Sequence, residues 1–306
     1  MIIIYSDDFL KHNKENHPEN KNRLIAIKNV LDDKDYKTIQ PKPIKNVENE
    51  IKKVHSKEYV NFIKNIKSDI MLDPDTYASK DTYFVALKAV EASINAANFA
   101  LNKKYSFALV RPPGHHACRN RGMGFCIFNN VAIAAEYLIR KNKAKKILIL
   151  DIDAHHGNGT QEIFYYSNEV FYISFHQYPA YPGTGSENEK GAGKGKNFNL
   201  NIPLLPYTND EEYLKKLKIF RKVALEYKPD LILISAGYDI YKDDPLTQMN
   251  ITIKGFRKIS EYIKETAQML DIGVAFILEG GYNLKGLSQG VLETVKVFSD
   301  NNFIKT

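Results

Sequence analysis

The sequence predicts an α/β fold: a single domain over residues 1–306, built on a parallel β-sheet with helices on both faces. Three observations predict it. Short apolar runs alternate with segments of helical periodicity along most of the chain, the pattern of strand–helix–strand crossovers. The 306 residues are 43% hydrophobic, enough for one large core. The chemically unusual residues gather just past the carboxyl ends of the apolar runs, the edge at which open parallel sheets bind ligands.

In chain order, Met1-Ile-Ile-Ile-Tyr5 reads as a first strand; it is too short for a signal peptide and has no basic region before it. Helices are expected over 19–31, 47–66 and 81–102, followed by a strand at Tyr105–Val110 and a helix over 130–142. A strand at Lys146–Leu150, a helix over 161–166 and a strand at Val170–Phe175 come next. The last third reads as helix 210–227, strand Leu231–Ile234, helix 252–270, strand Val274–Leu278 and helix 286–298. Thr208-Asn-Asp-Glu211 and Thr252 carry residue types that cap helix N-termini. There is no internal repeat, low-complexity tract or Pro/Gly/Ser linker.

No stretch approaches the roughly 18 consecutive apolar residues of a membrane span, so no membrane partner is expected. Cys118 and Cys126 are the only cysteines. Two do not make a disulfide framework, which points to a reducing, cytoplasmic setting. A net charge of +7 would suit a nucleic-acid partner. The lysines are interleaved with Asp and Glu, however, and no nucleic-acid signature accompanies them, so no dedicated nucleic-acid site is expected. Nothing in the sequence sets an oligomeric state.

The chemistry is densest between Leu148 and Thr160. An apolar run, Ile147–Leu150, of the sort buried in a parallel sheet passes into Asp151, Asp153, His155 and His156. Gly157 and Gly159 then break the strand, and a helix is expected to begin near Thr160. In an extended chain, side chains at i and i+2 share a face, so Asp151, Asp153 and His155 are expected to point the same way. Bare charges at the mouth of a buried strand are costly, which favours Asp153 and His155 as metal ligands over a solvated Asp/His-rich turn.

Ile234-Ser-Ala-Gly-Tyr-Asp239 adds a third carboxylate. Asp153, His155 and Asp239 would leave a metal an open position, as catalytic zinc sites do; the plainer alternative for Asp239 is a loop cap. Two carboxylates neutralise a divalent cation, so its bound water would be less acidic than under three neutral histidines and would need a separate base. Arg111-Pro-Pro-Gly-His-His-Ala117 places His115 and His116 after a Pro-fixed turn, a candidate base and acid. Leu278-Glu-Gly-Gly-Tyr-Asn283 offers Tyr282, a phenol that can donate to a developing oxyanion. Gly122-Met-Gly-Phe-Cys126 and Tyr181-Pro-Gly-Thr-Gly185 set Phe125 and Tyr181 beside glycines. These two are either the walls of a narrow slot for a linear aliphatic chain or ordinary core packing.

Assembled, these segments resemble the histone deacetylase superfamily, which includes acetylpolyamine amidohydrolases and acetoin-utilisation-type proteins, and look closest to its class II branch. The matching segments are Arg111-Pro-Pro-Gly-His-His-Ala, Gly124-Phe-Cys, Asp151-Ile-Asp-Ala-His-His-Gly-Asn-Gly-Thr-Gln161, Tyr181-Pro-Gly-Thr-Gly, Ser235-Ala-Gly-Tyr-Asp, Asp244-Pro-Leu and Glu279-Gly-Gly-Tyr-Asn-Leu284. Weaker matches are His17-Pro-Glu with Arg23, and Val54-His-Ser-Lys-Glu-Tyr-Val60.

The resemblance implies an arginase/deacetylase fold and a zinc-dependent amidohydrolase that removes acyl groups, acetyl above all, from amines such as acetyl-lysine. Acetylpolyamines or other small amides are the alternative substrates, and ferrous iron the alternative metal. It implies zinc on Asp153, His155 and Asp239, His116 as general base, and His115 as its partner oriented by Asp151. It implies Tyr282 as carbonyl polariser, a tunnel lined by Phe125 and Tyr181, and Gly124 accepting the substrate amide. It further implies a monovalent cation, potassium, on main-chain oxygens of Asp151, Asp153 and His155 with Ser174 and Phe175. His17 and Arg23 would line an inner acetate channel, and His156 would orient the zinc loop; His12, His55 and His176 read as structural.

Some positions depart from parts of that family. Asn158 stands where class I members carry Asp, which leaves His116 less basic. Leu246 stands where a polyamine-specific branch carries a gatekeeping Glu, so it is expected at the substrate site without that device. Asp73 and Asp75 are candidates for an acid on a substrate loop. An arginase-like dinuclear manganese site would need a further Asp two residues past His155, where Gly157 stands. A non-enzymatic acyl-lysine binder would show damage in the catalytic set, and none is visible.

Overall fold

In chain order the structure, a computed structural model describing residues 1–300, opens with β1 (Ile2–Ile4), α1 (Asn22–Asp32), β2 (Thr38–Ile39), α2 (Val47–Val54) and α3 (Lys57–Lys64). A short hairpin of β3 (Ile70–Met71) and β4 (Tyr77–Ala78) precedes α4 (Thr82–Leu101), β5 (Tyr105–Ala108) and α5 (Asn130–Arg140). Then come β6 (Ile147–Asp151), α6 (Asn158–Phe164), β7 (Val170–Gln177), β8 (Asn199–Leu204) and α7 (Asp210–Tyr227). The chain continues through β9 (Leu231–Ala236), α8 (Ile253–Leu270), β10 (Gly273–Leu278) and α9 (Leu284–Ser299). The last six residues of the expected 1–306 domain lie outside the described residues.

Among the described residues eight strands form one sheet in the order β2-β1-β5-β10-β9-β6-β7-β8, and every neighbouring pair is parallel. The central strands β6, β9 and β10 are buried along their whole length, so they read as continuous apolar runs without alternation. Helices α1, α7, α8 and α9 pack on one another, as do α2 to α5, while both α4 and α8 pack on β10; the sheet is therefore covered on both faces. Helix α4 is long and apolar enough by composition to cross a membrane, yet here it is the core helix against β5, β9 and β10. Polar Lys88, Glu91, Asn95 and Asn98 interrupt its apolar run.

Register aligns the strand ends. Asp151 pairs with Ser174 on one side and Ser235 on the other, and Leu278 lies beside Ala236. The loops after β5, β6, β9 and β10 consequently open on one edge of the sheet, as the sequence pattern predicts.

Several expected elements differ. The helix expected over 47–66 breaks at His55, because Ser56 takes extended backbone and caps α3 by accepting from Tyr59 N–H. His55 fills the break: its Nδ1 donates to Cys118 O at 2.9 Å and its Nε2 accepts from Asn129 N–H at 2.9 Å. The helix expected near Thr160 starts at Asn158. Strands β2, β3 and β4, two residues each, and β8 escape the apolar pattern. In β8 the buried positions include Asn199 and Asn201, which donate to Gln161 Oε1 at 2.8 Å, so its inward face is not apolar.

A buried ion network ties the start of α1 to two of the functional loops. Glu19, Arg23 and Arg111 are all 0% exposed. Arg111 Nη2 donates to Glu19 Oε2 at 2.7 Å and Arg23 Nη1 to Glu19 Oε1 at 3.0 Å. Arg23 Nε also donates to Gly281 O at 2.7 Å, in the loop after β10. Burial would raise the Glu19 pKa, but Arg111 and Arg23 overcome it and hold it at about 2. The folded pKa thus lies below the ordinary 4.5, so this contribution is full above pH 4.5 and lost as pH falls toward 2. Removing the carboxylate strands two buried guanidiniums. Glu19→Ala is expected to cost about 3–5 kcal/mol in urea unfolding near neutral pH; a loss no larger than the ~1 kcal/mol of a surface pair would contradict this role.

Candidate active site

Strand β6 ends at Asp151, and the chain turns before α6. The extended alternation expected to align Asp151, Asp153 and His155 therefore stops at Asp151, and the loop brings the last two into place instead. Asp153 Oδ1 accepts from His155 N–H at 2.9 Å, and Asp239 Oδ1 accepts from Ala154 N–H at 2.8 Å. Asp239 comes from the loop after β9, so two strand mouths meet. The loop after β10 closes the third side, where Gly280 N–H donates to Asp153 Oδ2 at 2.8 Å. A Cβ on Gly280 would stand 2.6 Å from that oxygen and 2.7 Å from Asp239 Oδ2, which is why the approach requires glycine.

Ligand atoms of Asp153, His155 and Asp239 all lie within 4.8 Å of one another, and His155 Nδ1 is 2.9 Å from Asp239 Oδ2. Two buried carboxylates beside one imidazole make a strongly negative pocket. Burial opposes a charge on His155, yet hydrogen bonds to Asp153 and Asp239 push its pKa up to about 10. Burial, then repulsion from Asp153, pushes Asp239 up to about 7. A site that demands positive charge this strongly suits a divalent cation, and a donor set of two carboxylate oxygens and one imidazole nitrogen fits zinc or ferrous iron. A second group, His115, Cys126 and Glu279, also lies within 4.8 Å. Burial keeps the Cys126 thiol well above its ordinary pKa, so it is a poor anionic ligand.

The histidine pair sits beside these carboxylates, with ring centroids 4.0 Å apart. Their partners differ. His115 Nδ1 donates to Asp151 Oδ2 at 3.0 Å, whereas His116 Nδ1 donates to Asn158 Oδ1 at 2.8 Å. Burial disfavours charge on both. For His115 the carboxylates of Asp153 and Asp151 overcome it and hold the pKa well above the usual histidine value. For His116 burial is reinforced by His115 and His155, and its pKa falls well below that value. Two adjacent residues are therefore pushed in opposite directions, His115 toward the charged imidazole and His116 toward the neutral one.

His116, Gly124, Phe125, His155, Tyr181, Leu246 and Tyr282 line one cavity of ≈220 Å³, joined by Asp75. Phe125 and Tyr181 thus face the cavity rather than the core. Gly124 has φ +55°, and a Cβ there would stand 2.4 Å from His116 Cδ2. Phe125 meets Tyr282 edge-on at 5.6 Å. Burial holds the Tyr282 phenol well above its ordinary pKa, against a smaller opposing effect of Arg23, whose guanidinium lies 5.0 Å from its ring centroid. Of the two acids considered for a substrate loop, Asp75 reaches the cavity. Asp73 instead fixes the turn, its Oδ1 accepting from the N–H groups of Asp75 and Thr76.

Other positions take supporting places. Ser174 lies beside Asp151 in the sheet and hydrogen-bonds His176 Nδ1 at 2.9 Å; Phe175 is buried in β7. His156 joins Thr184 Oγ1 at 2.8 Å, in the Tyr181 loop. His17 Nε2 donates to Asp75 O at 2.8 Å and its ring meets Phe125 edge-on. His12 stacks on Tyr77.

Three functional contacts were not anticipated. Tyr172 OH donates to Asp151 Oδ2 at 2.9 Å. Asp244 Oδ2 accepts from the N–H groups of Tyr282 and Asn283. Glu279 Oε2 accepts from the N–H groups of Gly114 and His115 at 2.6 and 3.1 Å, pinning the histidine loop. The last two stand inside motifs quoted from the sequence, which marked the segments without assigning partners. Tyr172 is one of 19 tyrosines in an ordinary strand and carried no signal.

Comparison with known proteins identifies the family and the fold. Residues 17–298 match the histone deacetylase domain. A probable deacetylase of Archaeoglobus fulgidus is 39% identical over 294 residues, covering 93% of this chain and 82% of the relative. The crystal structure of the HDA15 HD domain superposes with a TM-score of 0.91 at 32% identity, over 97% of this chain and 88% of that one. The acetylpolyamine aminohydrolase of Burkholderia pseudomallei gives a TM-score of 0.89 at 25% identity, over 98% of both chains. A site opening on one edge of a parallel sheet, a domain match over nearly the whole chain and relatives of this kind give one result: the chain belongs to the histone deacetylase family.

Proposed function

We propose that the chain is a zinc-dependent amidohydrolase, one catalytic domain that removes acetyl groups from acylated amines, acetyl-lysine first among them. The observation that carries this reading is the meeting in one ≈220 Å³ cavity of a neutral imidazole on His116, the Asp153–His155–Asp239 group at His155, and the Tyr282 phenol. Asp153, His155 and Asp239 would hold the metal, which when bound supplies Lewis-acid polarisation and lowers the pKa of water. Potassium on main-chain oxygens of Asp151, Asp153 and His155 with Ser174 and Phe175 belongs to the same proposal.

The chain's own residues then divide the proton work. Donation of His116 Nδ1–H to Asn158 leaves Nε2 as the free base, and it takes the proton of a water whose oxygen adds to the acyl carbon. The carbonyl becomes an oxyanion, and the protonated Tyr282 phenol donates to it. When the C–N bond breaks, the leaving nitrogen needs a proton, and a protonated histidine of the pair gives it. The products are a carboxylic acid and a free amine. Phe125 and Tyr181 exclude water from an aliphatic stem in the cavity, and Gly124 accepts from its amide. Among the described residues Asp75 is the one carboxylate lining the cavity, so a polyamine bearing several cations would find a single partner there; this favours acetyl-lysine over acetylpolyamines.

Two outcomes test the assignment. His116→Ala and Tyr282→Phe should each lower kcat on an acetyl-lysine peptide by roughly 10²-fold or more with the metal content unchanged, and near-normal turnover in either would remove it from the chemistry. The second test is pH. A base whose pKa lies below 6.5 stays neutral, and active, to more acidic pH, so the acid limb of kcat/KM should fall below pH 6.5. Asn158→Asp puts an anion on Nδ1 and should move that limb upward by about one unit or more; an unmoved limb would mean that His116 is not the titrating base.

A further inference from the structure

On one side of the cavity mouth the surface changes character. Three stretches, 178–186, 199–209 and 245–253, contain no Lys, Arg, Asp or Glu, in a chain that is 26% charged. The fold sews them together. Tyr178 N–H donates to Leu204 O at 2.8 Å, Tyr207 N–H to Gln248 O at 2.6 Å, and Gln248 N–H to Gln177 Oε1 at 2.7 Å. The resulting rim exposes Tyr178, Tyr181, Leu205, Tyr207 and Leu246. Tyr181 and Leu246 also line the cavity, so the rim is continuous with it. Leu205 and Tyr207 lie outside it and are 73% and 68% exposed.

We propose that this rim is a docking surface for the polypeptide that carries the acylated lysine, and that it selects an aromatic or aliphatic residue flanking that lysine. The inference rests on the deacylase reading and extends it. Continuity identifies the occupant: what covers Leu205 and Tyr207 must reach beyond the cavity while its acyl-lysine is inside. A small acylated amine is too short to do so. A polycation gains nothing from three uncharged stretches, and Asp75, the single carboxylate among the described residues that line the cavity, offers it little more. An apolar residue gains by removing its own surface and that of the rim from water.

The test is a kcat/KM panel on zinc-loaded protein, using acetyl-lysine peptides flanked by Phe and Leu, the same peptides flanked by Ser and Gly, free Nε-acetyl-lysine and N-acetylspermidine. Burying one apolar side chain against the rim should favour the Phe/Leu peptides roughly tenfold over the Ser/Gly peptides, through KM at unchanged kcat. The double variant Leu205→Ser/Tyr207→Ser, at exposed positions, should erase that preference and leave turnover of free Nε-acetyl-lysine as it was. Equal kcat/KM for both flank classes, a preference that survives the double variant, or N-acetylspermidine as the best substrate would overturn the docking role while leaving the deacylase reading intact. A wild-type dimer that the double variant dissolves would assign the rim to a second copy of the chain and also overturn it. No turnover of any substrate would overturn both.

Discussion

Two aspartates with almost no exposed surface set the terms for everything around them. Asp153 and Asp239 lie at the mouths of the most deeply buried strands and are 1% and 0% exposed. Charges in such a place are tolerated only when they are paired and hydrogen-bonded. The structure meets that demand with main-chain donors from Ala154, His155 and Gly280, and with the His155 ring, whose Nδ1 lies 2.9 Å from Asp239 Oδ2 and 3.2 Å from Asp153 Oδ1. The parallel register is what delivers them: β6, β9 and β10 end level, so loops far apart in sequence converge without long excursions.

The same field sets two neighbours of identical type apart. His115 turns toward Asp151 and Asp153, His116 toward a neutral amide, and burial acts on both. Chemistry that needs an acid and a base at one pH is served by environments that drive two pKa values apart. The supports of this division are themselves anchored. Tyr172 shares Asp151 with His115, Glu279 pins the histidine loop, and Asp244 holds the main chain at Tyr282. Behind them the buried Glu19–Arg111–Arg23 network joins the loops after β5 and β10.

How much of this was legible depended on whether a residue's role showed in its type and spacing. The alternation of apolar runs and helical segments announces the parallel sheet because buried parallel strands are apolar on both faces, as in Leu231–Ala236. The clustering of Asp151, Asp153, His155, Asp239, His115, His116 and Tyr282 at strand ends is equally plain, since few other positions collect such groups. Strand β8 was hidden because its inward face is partly asparagine, bonded to Gln161. The break at His55 was hidden because the apolar period runs on through it; the Ser56 cap and the tertiary bonds of His55 to Cys118 and Asn129 together separate α2 from α3. Partnerships such as Glu279 with Gly114 cross 165 residues, and no local pattern encodes them.

The proposed chemistry depends on a cation held by Asp153, His155 and Asp239. The most direct measurement is anomalous diffraction across the zinc absorption edge from crystals grown with zinc. The expected result is one strong peak per chain, bounded by those three side chains and open toward Tyr282. A peak lodged elsewhere, or none at that position while the three side chains are ordered, would contradict it.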